Sequence, residues 1–234
     1  MDRKFDLLKT IIEAYIDRAE PIGSQLVVRE YHFPVSSATI RNEMRDLEQE
    51  GFLEQPHTSA GRIPTEQAYQ WYVRESSPTE HQKATRSGWE QQVLEAFQRP
   101  DPFEQLRTLA HAMSAHIHEA VIVAQEPHHV YWTGASRLFV QPEFADPELV
   151  YAWSQAIDRL EELWPLMMDA RESGTVSVMI GRENPLCSRL STISTTLPTD
   201  PPTMVGVLGP MRMAYGKYIN LFERMQELIA QEMI

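Results

Sequence analysis

The first 75 residues are cut into short pieces by their own helix breakers, and the order of those pieces leaves few folds open. The spacing of Leu7, Leu8, Ile11, Ile12, Tyr15 and Ile16 predicts an amphipathic helix over residues 3–18. Glu20-Pro21-Ile22-Gly23 breaks it, and Ser24 is the expected cap of a second, short helix ending near Tyr31. Phe33-Pro34 turns the chain. Ser36 or Ser37 then caps a third helix that runs to about Glu50 and is closed by Gly51. Residues 52–55 read as a strand, 56–61 as a loop and Arg62-Ile63 as a short return strand. Thr65 opens a fourth helix bearing Ala68, Tyr69 and Tyr72. Three helices, a hairpin and a final helix in this order describe a winged helix-turn-helix.

A polar stretch rich in Ser, Pro and Thr follows, and residues 76–88 read as a linker between a domain at 1–75 and another at 89–234. The second segment mixes helix and strand patterns, which makes the chain α+β. Helices are expected at 89–98 and 103–118, and strands at 120–124 and 130–132. A long helix from about 147 carries Leu149, Trp153, Ile157, Leu160 and Leu163, with Pro165 ending or kinking it. Residues 175–180 alternate as a half-buried strand with Val176, Val178 and Ile180 on one side. Residues 204–208 form another strand, stopped by Gly209-Pro210. The last helix is expected over 211–233, with Ile219, Phe222, Met225 and Ile229 on one face.

Composition excludes several classes. A formal net charge of −12 over 234 residues argues against a protein that coats nucleic acid without regard to sequence. No apolar run approaches the ~18 residues that span a bilayer. Cys187 is the only cysteine, so no intrachain disulfide can form, and a reducing cytoplasm is the expected setting. His111, His116, His118, His128 and His129 fit no common ligand spacing and read as surface or packing residues, so no metal or cofactor is expected. No P-loop, nucleophile elbow or HExxH is present, and the chain does not read as an enzyme.

The third helix carries the functional signal. Around its wheel, Ile40, Met44 and Leu47 share one arc and form the core side. Ser37, Ala38, Arg41, Asn42 and Arg45 face the opposite way, toward solvent. Glu43, Asp46 and Glu50 lie in a third arc, and Glu48 falls on the arginine side near the helix end. An acidic chain therefore presents one locally cationic, amide-bearing face. Arg bonds guanine O6 and N7 in a fork, and Asn does the same to adenine N6 and N7. Ser36, Ser37 and Thr39, with the free N–H groups of the helix start, suit phosphate oxygens. In the loop, His57, Thr58, Ser59 and Gly61 are small or polar enough to lie against a duplex, and Arg62 is placed to reach a phosphate or a narrow minor groove. Arg41 and Arg45 alone would read as a solvated face. The loop beside them shifts the reading toward double-stranded DNA.

Val35-Ser36-Ser37-Ala38-Thr39-Ile40-Arg41-Asn42-Glu43-Met44, then Leu47-Glu48, then Gln55-Pro56-His57-Thr58-Ser59-Ala60-Gly61-Arg62-Ile63-Pro64-Thr65 resembles the signature of the HrcA repressors. Glu20-Pro21-Ile22-Gly23-Ser24 is similar to the turn before their second helix. Gln141-Pro142-Glu143-Phe144, Ile180-Gly181-Arg182-Glu183-Asn184-Pro185 and the run from Gly206 to Tyr215 resemble their GAF-like domain more loosely. The resemblance implies a homodimeric heat-shock repressor that binds an inverted repeat, called CIRCE, upstream of chaperone genes. It also implies a chaperonin that supports the active state. Family members carry an inserted domain before the Gln-Pro-Glu-Phe motif. Residues 119–140 are too few for one, so a shortened GAF-like domain is expected, with less dependence on chaperonin. Two rivals follow from the same features: a shortened partner that modulates a full-length HrcA, and a regulator whose GAF-like half senses a ligand.

Overall fold

The computed structural model describes residues 3–75, 88–125, 129–162 and 174–232. It divides into two units, Met1–Ser77 and Pro78–Ile234. The α+β expectation holds. The segment read as a linker lies outside the described residues, Gly88 and the boundary residue Glu75 aside.

In the first unit, α1 (Arg3–Arg18) buries Leu7, Leu8, Ile11, Ile12 and Ala14, and Ala19 ends it at a positive φ of 55°. The chain then runs extended through Ile22. The Ile22 amide donates to the Arg62 carbonyl at 2.8 Å, and the Arg62 amide returns to the Ile22 carbonyl at 2.9 Å. This bridge corrects the expected cap of α2 (Ser24–Glu30). Gly23 is held extended by the bridge and occupies the cap position with no side chain to offer, so Ser24 becomes the first helical residue and is buried. The cap of α3 (Ser37–Gln49) is Ser36, whose hydroxyl accepts from the Thr39 amide at 3.2 Å. Ile40, Met44 and Leu47 are buried as the helical wheel requires. Gly51, at φ 84°, then turns the chain where a side chain would be strained.

The hairpin is shorter than expected. Strands β1 (Leu53–Glu54) and β2 (Ile63–Pro64) pair Leu53 with Pro64 and Glu54 with Ile63, and the bridge to Ile22 contributes a third rung. Thr65 caps α4 (Glu66–Glu75): its hydroxyl donates to the Gly51 carbonyl at 2.6 Å and accepts from the Ala68 amide. Phe5, Phe52 and Trp71 stack at 5.1–6.4 Å between centroids, joining α1, the hairpin and α4.

The second unit is a five-stranded antiparallel sheet in the order β4-β3-β7-β6-β5. Its strands are β3 (Ala120–Ala124), β4 (Val130–Thr133), β5 (Ser177–Ile180), β6 (Leu190–Leu197) and β7 (Thr203–Pro210). The sequence reading has no counterpart for β6. Helices α5 (Gly88–Phe97) and α6 (Pro102–Ser114) precede the sheet. The latter is capped by Asp101, which accepts from the Glu104 amide at 2.9 Å. It stops four positions before the expected 118, because Ile117 and Glu119 are already buried on the way into β3.

The short α7 (Ala135–Leu138) and α8 (Pro147–Asp158), capped by Asp146, lie on one face of the sheet with Leu149, Trp153 and Leu160 in the core. Leu163 and Pro165 lie outside the described residues. Helix α9 (Tyr215–Glu232) starts later than expected, since residues 211–214 form a turn in which Met213 bonds back to Met211. Its buried stripe is Tyr215, Tyr218, Phe222, Met225, Leu228 and Ile229, with Tyr218 in place of the expected Ile219.

One carboxyl is enclosed here. Glu119 is 4% exposed, accepts a hydrogen bond from the Tyr218 hydroxyl, and packs over Gly209, where a Cβ would collide with it. Burial raises its pKa above the ordinary value of 4.5, with the Tyr218 hydrogen bond and the neighbouring His118 opposing the shift. A raised carboxyl pKa means the fold favours the protonated form. Its contribution is therefore fully present below the ordinary value and is lost as pH rises through the folded one. Glu119→Gln should remove that slope, so its stability relative to the parent should improve as pH climbs above about 4.5. Tyr218→Phe should cost about 1–3 kcal/mol, because it removes a hydroxyl bonded to the buried Glu119 carboxyl and to the His118 amide. Urea denaturation across pH measures both, and parallel stability curves for the parent and Glu119→Gln would contradict the assignment.

Candidate nucleic-acid interface

The α2–turn–α3 pair carries the predicted face. Ala38, Arg41, Asn42 and Arg45 are exposed along one side of α3, with Ser36 exposed at its cap and Ser37 and Thr39 half-buried in its first turn. The Ser36 and Thr39 hydroxyls bond each other at 3.0 Å, which fixes that turn.

The acids of α3 are drawn elsewhere. Arg3 of α1 binds Glu43, and Lys4 reaches Glu50 at 2.7 Å. Neither Arg41 nor Arg45 has a carboxylate partner among the described residues. A chain of negative net charge thus keeps a cationic helix face by pairing that helix's acids with cations from its neighbour.

The wing stands beside this face. Gln55 Nε2 donates to the carbonyls of Thr58 at 3.0 Å and Ala60 at 2.9 Å, and the Ala60 amide bonds the His57 carbonyl at 2.8 Å. His57, Thr58 and Ser59 are exposed at the tip. Gly61 lies so close to the Ile22 backbone that any side chain would collide with it. Between wing, α3 and the start of α2 is a cleft of about 500 Å³, lined by Gln25, Arg41, Arg45, Gln55, Thr58 and Arg62 among others.

Arg62, expected to reach a phosphate or minor groove, is held within the unit. Its guanidinium is bound by Glu48, with Nε at 3.0 Å and a second nitrogen at 2.9 Å, and the side chain is only 15% exposed. From the exit of the loop it braces the wing against α3. Sequence reasoning placed Glu48 on the arginine side of α3 but did not pair the two, because the thirteen residues between them have to fold first. Gln55 and Gln25 were also missed, since neither residue type signals a loop staple or a cleft wall.

Two of the looser C-terminal motifs, 141–144 and 206–215, are joined by polar contacts. Arg212, 13% exposed, pairs with Glu143 and reaches Gln141 Oε1 at 3.3 Å, and Gln141 donates to the His118 carbonyl at 3.2 Å. Asn184 accepts from the Leu186 amide at 3.0 Å just past the turn at Gly181.

A helix-turn-helix braced by a hairpin, ahead of a separate antiparallel-sheet unit, defines a two-unit winged-helix protein. A family model described as the HrcA protein C terminal domain matches residues 80–219. A heat-inducible transcription repressor HrcA from Gloeobacter violaceus is 30% identical over 97% of this chain and 92% of its own length. The chain belongs to the HrcA family. That alignment runs over 332 positions against 234 residues here, so the relative carries a long stretch without counterpart in this chain.

Another protein of that name, from Natranaerobius thermophilus, is 64% identical over 73 residues, 31% of this chain but 21% of the relative. The chain thus matches about a fifth of the length of such relatives. A crystal structure of a hypothetical protein at 2.2 Å resolution shares the fold, with a TM-score of 0.74 at 19% identity over 99% of both chains. Among the described residues, no helix is long and apolar enough to cross a membrane.

The Glu48–Arg62 brace is open to measurement. Half-exposed ion pairs contribute about 0.2–1 kcal/mol, so a cycle of Glu48→Ala, Arg62→Ala and the double variant should give a coupling energy in that range. Zero coupling in thermal or urea melts would remove the brace.

Proposed function

We propose that this chain is a cytoplasmic, non-enzymatic repressor of heat-shock genes that binds an inverted-repeat operator in double-stranded DNA as a homodimer. The observation that carries the reading is the exposed Ala38, Arg41, Asn42 and Arg45 face, whose cations have no carboxylate partner among the described residues, while Glu43 and Glu50 pair with Arg3 and Lys4 on the other side. The names of the relatives support the regulatory role. In this reading α3 enters the major groove, Arg41 and Asn42 read base edges, and Ser36, Ser37 and Thr39 meet phosphates near the helix start. The wing tip, His57, Thr58 and Ser59, follows the adjacent backbone. Arg62 and Gly61 hold the wing at the right height, and Arg62 meets the DNA only by exchanging Glu48 for a phosphate. One such helix reads a few base pairs, so specificity requires two copies on two half-sites.

A gel shift on a CIRCE-like inverted repeat against scrambled DNA tests the reading. Arg41→Ala or Asn42→Ala should weaken operator binding by about 1–3 kcal/mol and relax base preference. Ultracentrifugation should find two chains per operator. Unchanged binding in both variants, or tight binding of one chain to one half-site, would sink the groove assignment. A chain that ignores the operator yet alters its binding by a full-length HrcA would establish the modulator instead.

The acidic balance favours solubility, and the proposal includes folding with little help from a chaperonin. Dilution from denaturant into buffer alone should restore most operator-binding activity. Recovery that requires chaperonin and nucleotide would show that the dependence is retained.

A further inference from the structure

The cleft between the wing and α3 is lined by three arginines that are not in the same state. Arg41 and Arg45 are exposed and have no carboxylate partner among the described residues. Arg62 is gripped by Glu48 through two guanidinium nitrogens at 3.0 and 2.9 Å, with side chains 15% and 33% exposed. No described residue lining the cleft is itself acidic. Glu43 and Glu50 are drawn away by Arg3 and Lys4. Glu48 instead brings a carboxylate to the cleft, through Arg62. An acid placed there works against the approach of any phosphate, so its position calls for an explanation.

The backbone of Arg62 is pinned by its two hydrogen bonds with Ile22, at 2.8 and 2.9 Å, and Gly61 before it packs against the same segment. Its guanidinium can therefore change partner by a swing of the side chain alone, with the wing left in place. The fork that fits a carboxylate also fits a phosphate, so Glu48 and DNA compete for the same nitrogens. The competition is unequal. Glu48 belongs to the same chain and stands at a high effective concentration, and its half-buried pair is screened less by salt than an exposed one. A duplex held loosely by Arg41 and Arg45 does not displace it. A duplex drawn in by base-edge contacts to α3 brings a phosphate within hydrogen-bond range, and does.

We infer that Glu48 is a specificity-determining residue: it stands in for a DNA phosphate at Arg62 and yields the guanidinium only to a duplex whose bases α3 has read. The inference rests on the DNA-binding reading and adds to it a residue that need not touch a base. The Arg62–phosphate contact carries no sequence information of its own. Withheld from non-specific DNA and made in the specific complex, it widens the gap between them. Glu48 thus lowers affinity for every duplex, but lowers it most for the wrong one, which is how an unfavourable charge produces discrimination.

The test follows fluorescence anisotropy of labelled duplexes, a CIRCE-like inverted repeat and a scrambled one, titrated with the full chain over a range of salt. The parent is compared with Glu48→Gln, Arg62→Ala and the double variant. Gln keeps the length of the side chain and removes a half-exposed ion pair, so the fold is retained. Glu48→Gln should tighten scrambled-duplex binding about tenfold, the gain of one phosphate contact, and operator binding about twofold, the release of the pair itself. Discrimination then falls about fivefold, and the salt slope on scrambled DNA steepens by about 0.9. In the Arg62→Ala background, Glu48→Gln should leave discrimination unchanged, because only plain repulsion remains and both duplexes feel it. Equal tightening on both duplexes, an unchanged salt slope, or the same loss of discrimination without Arg62 would each overturn the role of Glu48 and leave the groove reading standing. A parent that does not prefer the operator, or that loses nothing on Arg41→Ala, would overturn the groove reading and this inference with it.

Discussion

The first unit depends on a pair of backbone hydrogen bonds between Ile22 and Arg62. They tie the wing to the segment entering α2, so the wing and the helix-turn-helix cannot move independently without breaking both. The bridge sets the extended path of Gly23, starts α2 one residue earlier than expected, and brings the Arg62 side chain back over α3, where Glu48 meets it. It also explains Gly61. Two backbones in this approach leave no room for a Cβ, so the glycine is a packing requirement. A small-residue loop reads from sequence as one shaped to fit a duplex. The structure gives it a second reason: it is shaped to fit its own neighbour.

Charge is arranged on the same principle of local pairing. The chain is acidic overall, and α3 and its C-cap carry acids at Glu43, Asp46, Glu48 and Glu50. Two of these are met by Arg3 and Lys4 of α1 and a third by Arg62. Exposed pairs of this kind add little stability. Their effect is on the field: they remove negative potential from around Arg41 and Arg45, which an approaching phosphate would otherwise feel.

Much of this was legible because helical and turn signals are local. The bounds of α1, the core stripe Ile40, Met44 and Leu47, and the strand at 120–124 follow from periodicity and breakers within a few residues. What sequence could not supply was mostly non-local. The Glu48–Arg62 pair and the Ile22 bridge require the hairpin to close first. Strand β6 was missed for a different reason. Its sequence, Leu-Ser-Thr-Ile-Ser-Thr-Thr-Leu, places hydroxyls on both faces and gives no apolar alternation, yet every residue in it is buried. A strand covered on both sides need not alternate, and Thr suits the extended backbone as Val does.

That central strand also shows why buried hydroxyls alone do not define a structural role. A Ser or Thr in a core strand is tolerated when the opposing layer brings a partner, as Tyr215 and Gln226 do from α9. The partner then specifies the depth and rotation of the helix against the sheet, because an unbonded hydroxyl penalises any other docking. On the other side, α8 meets the sheet through Leu149, Trp153 and Leu160, which fix no hydrogen-bond geometry with Thr192 or Ser194. Apolar contact tolerates small changes in layer spacing, whereas the bonded face does not. Hydrogen bonds therefore help to set how α9 docks on the sheet, whereas the α8 side is set by the shape of its apolar packing.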